Sequence, residues 1–111
     1  MENISSIAGG VQAYHGGVIK AGTPDDMERM IARADADKHR PMDDASRIRD
    51  FPKFGRPLVC VNDIYGKAVA WSDRYGLIEW LDVSGKYHLG WAQSGSIKRV
   101  STEDWKGRSG L

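Results

Sequence analysis

The residues best equipped for chemistry crowd into "DADKHRPMDD" (35–44), which brings Asp35, Asp37, His39, Asp43 and Asp44 close together. Carboxylates with an imidazole are donors that a divalent cation accepts. The spacing argues against it. Asp35 and Asp37 do not share a helical face, and hard-cation loops need ligands at fixed intervals. A solvated helix end accounts for the cluster, so no metal site is assigned. Cys60 is the only cysteine, and the three histidines, His15, His39 and His88, lie in separate segments. Cys60 and His88 could meet across strands, but Cys60 sits in the apolar run "PLVCV" and reads as an inert core thiol. "GGVQAYHGG" (9–17) has glycines without the spacing of a phosphate-binding loop. Ser, His and Asp occur without a local context that makes a nucleophile. No catalytic residue and no cofactor are assigned.

A second kind of chemistry is recognition by rings and charges. Nine of the ten Phe, Trp and Tyr residues follow position 50. Tyr65, Trp71 and Tyr75 fall in or beside turns and are expected to be partly exposed, forming a partner-binding surface. Lys98, Arg99, Lys106 and Arg108 cluster near Trp105. Basic groups interleaved with aromatics suit nucleic acid. Glu103 and Asp104 neutralise part of that rim.

These side chains need elements to hold them. At 111 residues there is room for one folded domain. Residues 1–22 hold two Gly-Gly pairs and read as a flexible or partly extended arm, with Val11, Tyr14, Val18 and Ile19 as its apolar members. Residues 23–50 read as a helical segment. Thr23 is placed as N-cap, Pro24 opens the helix, and Asp25 and Asp26 suit its positive end. Met27, Met30, Ile31 and Ala34 recur at helical spacing and form an apolar stripe. Pro41 stops this helix, and a second short one is expected near 41–50. Residues 51–111 read as short strands separated by turns: 57–61, 68–72, 77–82, 87–92 and 97–100. Gly66 and Gly85 are expected to supply turn conformations. On the third strand Ile78 and Trp80 should point inward, because burying Glu79 would be costly. On the fourth, Tyr87, Leu89 and Trp91 share a face.

Five short strands with tight turns solve their edge problem by closing on themselves. Their length, their spacing and the closing "IKRV" (97–100) resemble the SH3-like barrel superfold. "GKAVAW", "YGLIE" and "IKRV" are also similar to the plasmid-borne SH3-like dihydrofolate reductases. That family's ligand contacts rest on a Val-Gln-Ile-Tyr segment, where this chain reads "LGWAQSGS" (89–96), so no catalytic role is carried over. The expected fold is α+β, with a short N-terminal helical segment packed on a C-terminal five-stranded SH3-like antiparallel β-barrel.

The totals narrow the function. Residues 1–50 carry seven basic and nine acidic groups, residues 51–111 nine and six, giving the net charge of +1. No global field draws the chain to nucleic acid or membrane. A single cysteine and the lack of a signal-peptide pattern or apolar span point to a cytoplasmic protein. The expected function is a non-catalytic binding module for a protein partner, a second copy of the chain included. Compact chains of this size are common among accessory proteins of bacteria, phages and plasmids. A nucleic-acid-binding barrel is the alternative, and a small enzyme with its site at an oligomer's symmetry axis is the third reading.

Overall fold

Asp25 sets the start of the first element. The computed structural model describes residues 24–111, so the expectations for the arm 1–22 lie outside the described residues. Asp25, not Thr23, is the N-cap, and Pro24 stands before the helix rather than opening it. Asp25 is extended, and its carboxylate accepts the Glu28 N–H at 2.8 Å, capping helix α1 (Asp26–Lys38). Asp26 and Glu28 occupy the first turn and Lys38 the last, each complementing the helix dipole.

The buried face of α1 is not the expected one. Met27, Met30 and Ile31 are exposed, Met30 at 66%. The helix instead buries Ala32 and Ala36. Arg29, Ala32, Arg33 and Ala36 repeat the same helical spacing, two positions along. Small alanines let the helix approach strand β5 (Tyr87–Gln93) closely, and the Trp91 indole N–H donates to the Ala36 carbonyl at 2.9 Å. The flanking arginines reach fixed carboxylates: Arg29 pairs with Glu79 and Arg33 with Asp50. Polar anchoring therefore sets the rotation of α1 against the pull of its methionines.

No second helix follows. Residues 41–48 run through turns and a bend into β1 (Arg49–Asp50). Asp44 spends its carboxylate on distant groups rather than on a helix start. It accepts from the Ser46 N–H, from the Ser72 hydroxyl at 2.7 Å and from the Arg74 N–H at 2.8 Å.

The remaining strands are β2 (Leu58–Val61), β3 (Ile64–Trp71), β4 (Tyr75–Leu81), β5 and β6 (Lys98–Arg99), with a short 3-10 turn at Ser94–Ser96. All pairs are antiparallel, in the order β5-β4-β3-β2-β6. The α+β class holds. The sheet, however, has six strands and is open, with β5 and β6 as its ends. The added strand arises because β3 outruns β2. Its first half pairs with β2 (Val61 opposite Ile64), and its far end pairs with β1 (Arg49 opposite Trp71).

The turns follow from local chemistry. Asn62 and Asp63 both take positive φ, 49° and 68°, in a two-residue β2–β3 hairpin whose twist matches the strands. Gly66, expected in that turn, lies inside β3. A Cβ there would fall on the Glu79 carbonyl oxygen across the sheet, so only glycine permits the approach of β4. Gly85 turns β4 into β5 at φ 88°, as expected.

The sheet carries a core on each face. Leu77, Leu81, Tyr87, Leu89 and Trp91 pack with Ala32 and Ala36 beneath α1. Ile78 and Trp80 face the other way, among Val59, Val61, Ala68 and Ala92, with Phe51, Ile64 and Ile97 at the margin. The inward placing of Ile78 and Trp80 thus holds. A register shift between Ala68 and Ala70 transfers β3 from one core to the other.

Candidate functional site

Most of the candidate side chains line two hollows, and a third holds a buried acid. The first is a groove of about 340 Å³ at the margin of the second core. Trp71 and Tyr75 both line it, with Phe51, Pro57, Ile97 and Arg99. Trp71 ends β3 and Tyr75 begins β4, so both residues stand at one end of the sheet, the Trp71 ring beside Phe51 of the second core and the Tyr75 ring against the first. The Phe51 ring lies 4.3 Å from Trp71, tilted by 36°, and the Arg49 guanidinium sits over Trp71 at 5.2 Å. Tyr75 donates its hydroxyl to Asp43 at 2.7 Å, and that carboxylate raises the phenol's pKa above its ordinary value. The wall is apolar and aromatic, with one cation, Arg99, and one acid, Asp73.

The second hollow, about 390 Å³, holds three more of the expected set. Tyr65, Lys106 and Arg108 line it together with Ile64, Trp80 and Val83. Tyr65 stands opposite Cys60 in the β2–β3 ladder, and burial, then Cys60, raises its pKa. Arg108 donates to the Val83 carbonyl at 3.2 Å, and Trp105 donates its indole N–H to Gly66 at 3.0 Å. The aromatic trio is therefore split between two places. The basic quartet is split as well. Lys98 and Arg99 are neighbours on β6 and point to opposite faces, so only Arg99 joins the Trp71 groove.

The third hollow has Glu79 among its walls, a side chain that sequence reasoning kept outside. Glu79 is 0% exposed. Arg29 reaches Oε1 at 2.9 Å, Arg56 reaches Oε2 at 3.1 Å, and the Tyr87 hydroxyl donates at 2.8 Å. Burial, reinforced by Glu79, pushes the Tyr87 phenol well above its ordinary pKa. The signal for this cluster was an acid in the middle of a buried strand, which demands a partner.

The acids of 35–44 have structural partners. Asp35 lies 3.7 Å from His39, Asp37 pairs with Arg33 at 3.1 Å, and Asp43 and Asp44 bind the β3–β4 turn. Cys60 is half-buried. His88 turns away from it, with Nε2 2.9 Å from Asp82 and the ring stacked on Trp80 at 5.0 Å. Among the described residues no helix is long and apolar enough to cross a membrane.

Compared with known protein families, curated proteins and solved structures, the chain matches none.

Proposed function

We propose that the protein is a non-catalytic binding module that holds an extended, apolar segment of a partner protein in the Trp71 groove. One observation carries this reading: the half-buried Trp71 ring, 4.3 Å from the Phe51 ring, stands in the wall of one largely apolar hollow with Pro57 and Ile97. Aromatic anchors with a nearby arginine suit recognition of peptide segments. The exposed Met27, Met30 and Ile31 of α1 add a second contact face for a partner, a second copy of the chain among them. We also read β2 to β6 as an opened form of the SH3-like barrel. The return of β6 to pair with β2 supports that reading.

The test is a screen of short peptides followed by titration on Trp emission. Bound peptides should lose about thirtyfold in affinity with Trp71→Ala, the effect of a central aromatic anchor. If every captured peptide binds Trp71→Ala and Tyr75→Ala as it binds the parent, the reading is wrong.

Arg99 in the same groove favours one second reading, single-stranded nucleic acid stacked on Trp71. Oligonucleotide affinity that falls steeply with salt and collapses in Arg99→Gln would put that reading first. A protein partner held by apolar contact predicts little dependence on salt.

A further inference from the structure

The cleft walled by Glu79, about 330 Å³, is separate from the Trp71 groove and differs from it in charge. One carboxylate there is shared by two guanidiniums, Arg29 from α1 and Arg56 from the segment before β2. It neutralises only one of them. Lys53 and Lys67 line the same cleft, and the other acid among its described lining residues is Asp26. Four cationic side chains face two carboxylate side chains in one concavity, with the main-chain oxygen of Leu111 in the same wall, while the side chains of the whole chain sum to +1. Low-dielectric walls focus such a field.

The donors of the cleft differ in state. Lys67 already holds an oxygen, with its ammonium 3.2 Å from the main-chain oxygen of Leu111. The Arg56 Nε–H is shielded from water and has no hydrogen-bond partner among the described residues, a state that is costly unless something else accepts from it. At the mouth lies Phe54, 97% exposed, with the Lys53 ammonium 5.9 Å from its ring centre. A large ring left fully in water beside a cationic hollow is a platform for the apolar part of an anionic ligand.

We infer that this cleft binds a small phosphate monoester. The phosphate sits among Arg29, Arg56, Lys53 and Lys67, and its planar or apolar body lies against Phe54. Arginine forks and lysine ammonium groups are the donors that phosphate oxygens accept.

The experiment titrates the full chain with adenosine monophosphate, inorganic phosphate and sulfate, following amide and guanidinium N–H shifts by NMR. Adenosine monophosphate should bind saturably, moving the Arg56 Nε–H and the Lys67 amide. Lys53→Gln and Lys67→Gln should each weaken it about tenfold, the loss of one charge-assisted hydrogen bond. Neither residue pairs with Glu79, so both variants should keep the parent's unfolding midpoint, while Lys38→Gln on α1 should bind as the parent does. Affinity for the monoester should fall as pH drops below about 6, where the phosphate takes up a proton, and sulfate binding should not. Phe54→Ala should weaken adenosine monophosphate and leave inorganic phosphate unchanged. Absence of saturable shifts with both phosphates overturns the inference. So does parent-like binding by Lys53→Gln and Lys67→Gln. Equal affinity for inorganic phosphate and the monoester overturns the assignment of Phe54.

Discussion

At the scale of single residues, Glu79 carries the largest stake. It is wholly buried, and its charge is tolerated because Arg29, Arg56 and the Tyr87 hydroxyl all point at it. Glu79→Gln would leave two guanidiniums, each about one-fifth exposed, without their shared counter-charge. The expected loss is about 3 kcal/mol, measured by urea unfolding. The triple replacement of Glu79, Arg29 and Arg56 by leucine and methionines should recover much of that loss, because no uncompensated charge remains. A Glu79→Gln protein as stable as the parent would show that the pair adds nothing. Gly66 is a second such residue, for a purely steric reason. Gly66→Ala places a methyl on the Glu79 carbonyl oxygen and should prevent native β3–β4 pairing, seen as loss of cooperative unfolding.

At the scale of elements, two turns are pinned by carboxylates. Asp44 holds the β3–β4 turn. Hydrogen bonds from Ser46, then from Ser72, keep its pKa far below the usual carboxylate range. Asp82 holds the β4–β5 turn. Burial pushes its carboxyl up, but Ser84, His88 and the Lys86 N–H together outweigh that and hold it low. A depressed folded pKa means the unfolded chain takes up protons first. These two turns therefore contribute their stability above about pH 4 and lose it as pH falls from there toward the folded values. Asp44→Asn and Asp82→Asn should lower the unfolding midpoint at neutral pH, and the gap to the parent should narrow near pH 3. A constant gap across that range would place the effect in packing rather than in charge. On α1, Met30→Ala should change stability by less than about 0.5 kcal/mol, because the side chain faces water. Ala36→Leu should cost about 1–3 kcal/mol by forcing the helix off β5.

At the scale of the molecule, the three hollows lie on different parts of the sheet and differ in chemistry. The Trp71 groove is aromatic, the Glu79 cleft is cationic, and the Tyr65 hollow mixes both. Ligands should therefore act independently. Trp80 and Trp91 are buried, while Trp71 and Trp105 are half-buried. Filling the groove should change the emission of Trp71 alone, and Trp71→Phe should abolish the response without loss of fold. A peptide-induced emission change that survives Trp71→Phe would place the binding surface elsewhere.

Some of this is settled by neighbours along the chain. Local chemistry places a helix start within two residues of the observed one, an end before Pro41, five of the strands to within a few residues, and the turn at Gly85. Alternation fixes which of Ile78, Trp80, Tyr87, Leu89 and Trp91 share a face, because the period of a strand is two. The exposure of Trp71, Tyr65 and Tyr75 is legible from their place beside turns. What depends on distant partners is not legible. The burial of Glu79 rests on Arg29, 50 positions away, and on Arg56, 23 away. The same pairing turns α1 so that Ala32 and Ala36, not the methionines, meet the sheet. Asp44 replaces an expected helix with a clamp because Ser72 and Arg74 come within its reach only after folding. The grouping of Trp71 with Arg99, and of Tyr65 with Arg108, follows from sheet order. Side-chain type and spacing determine each element's character, but only the folded sheet decides which charges and rings become neighbours.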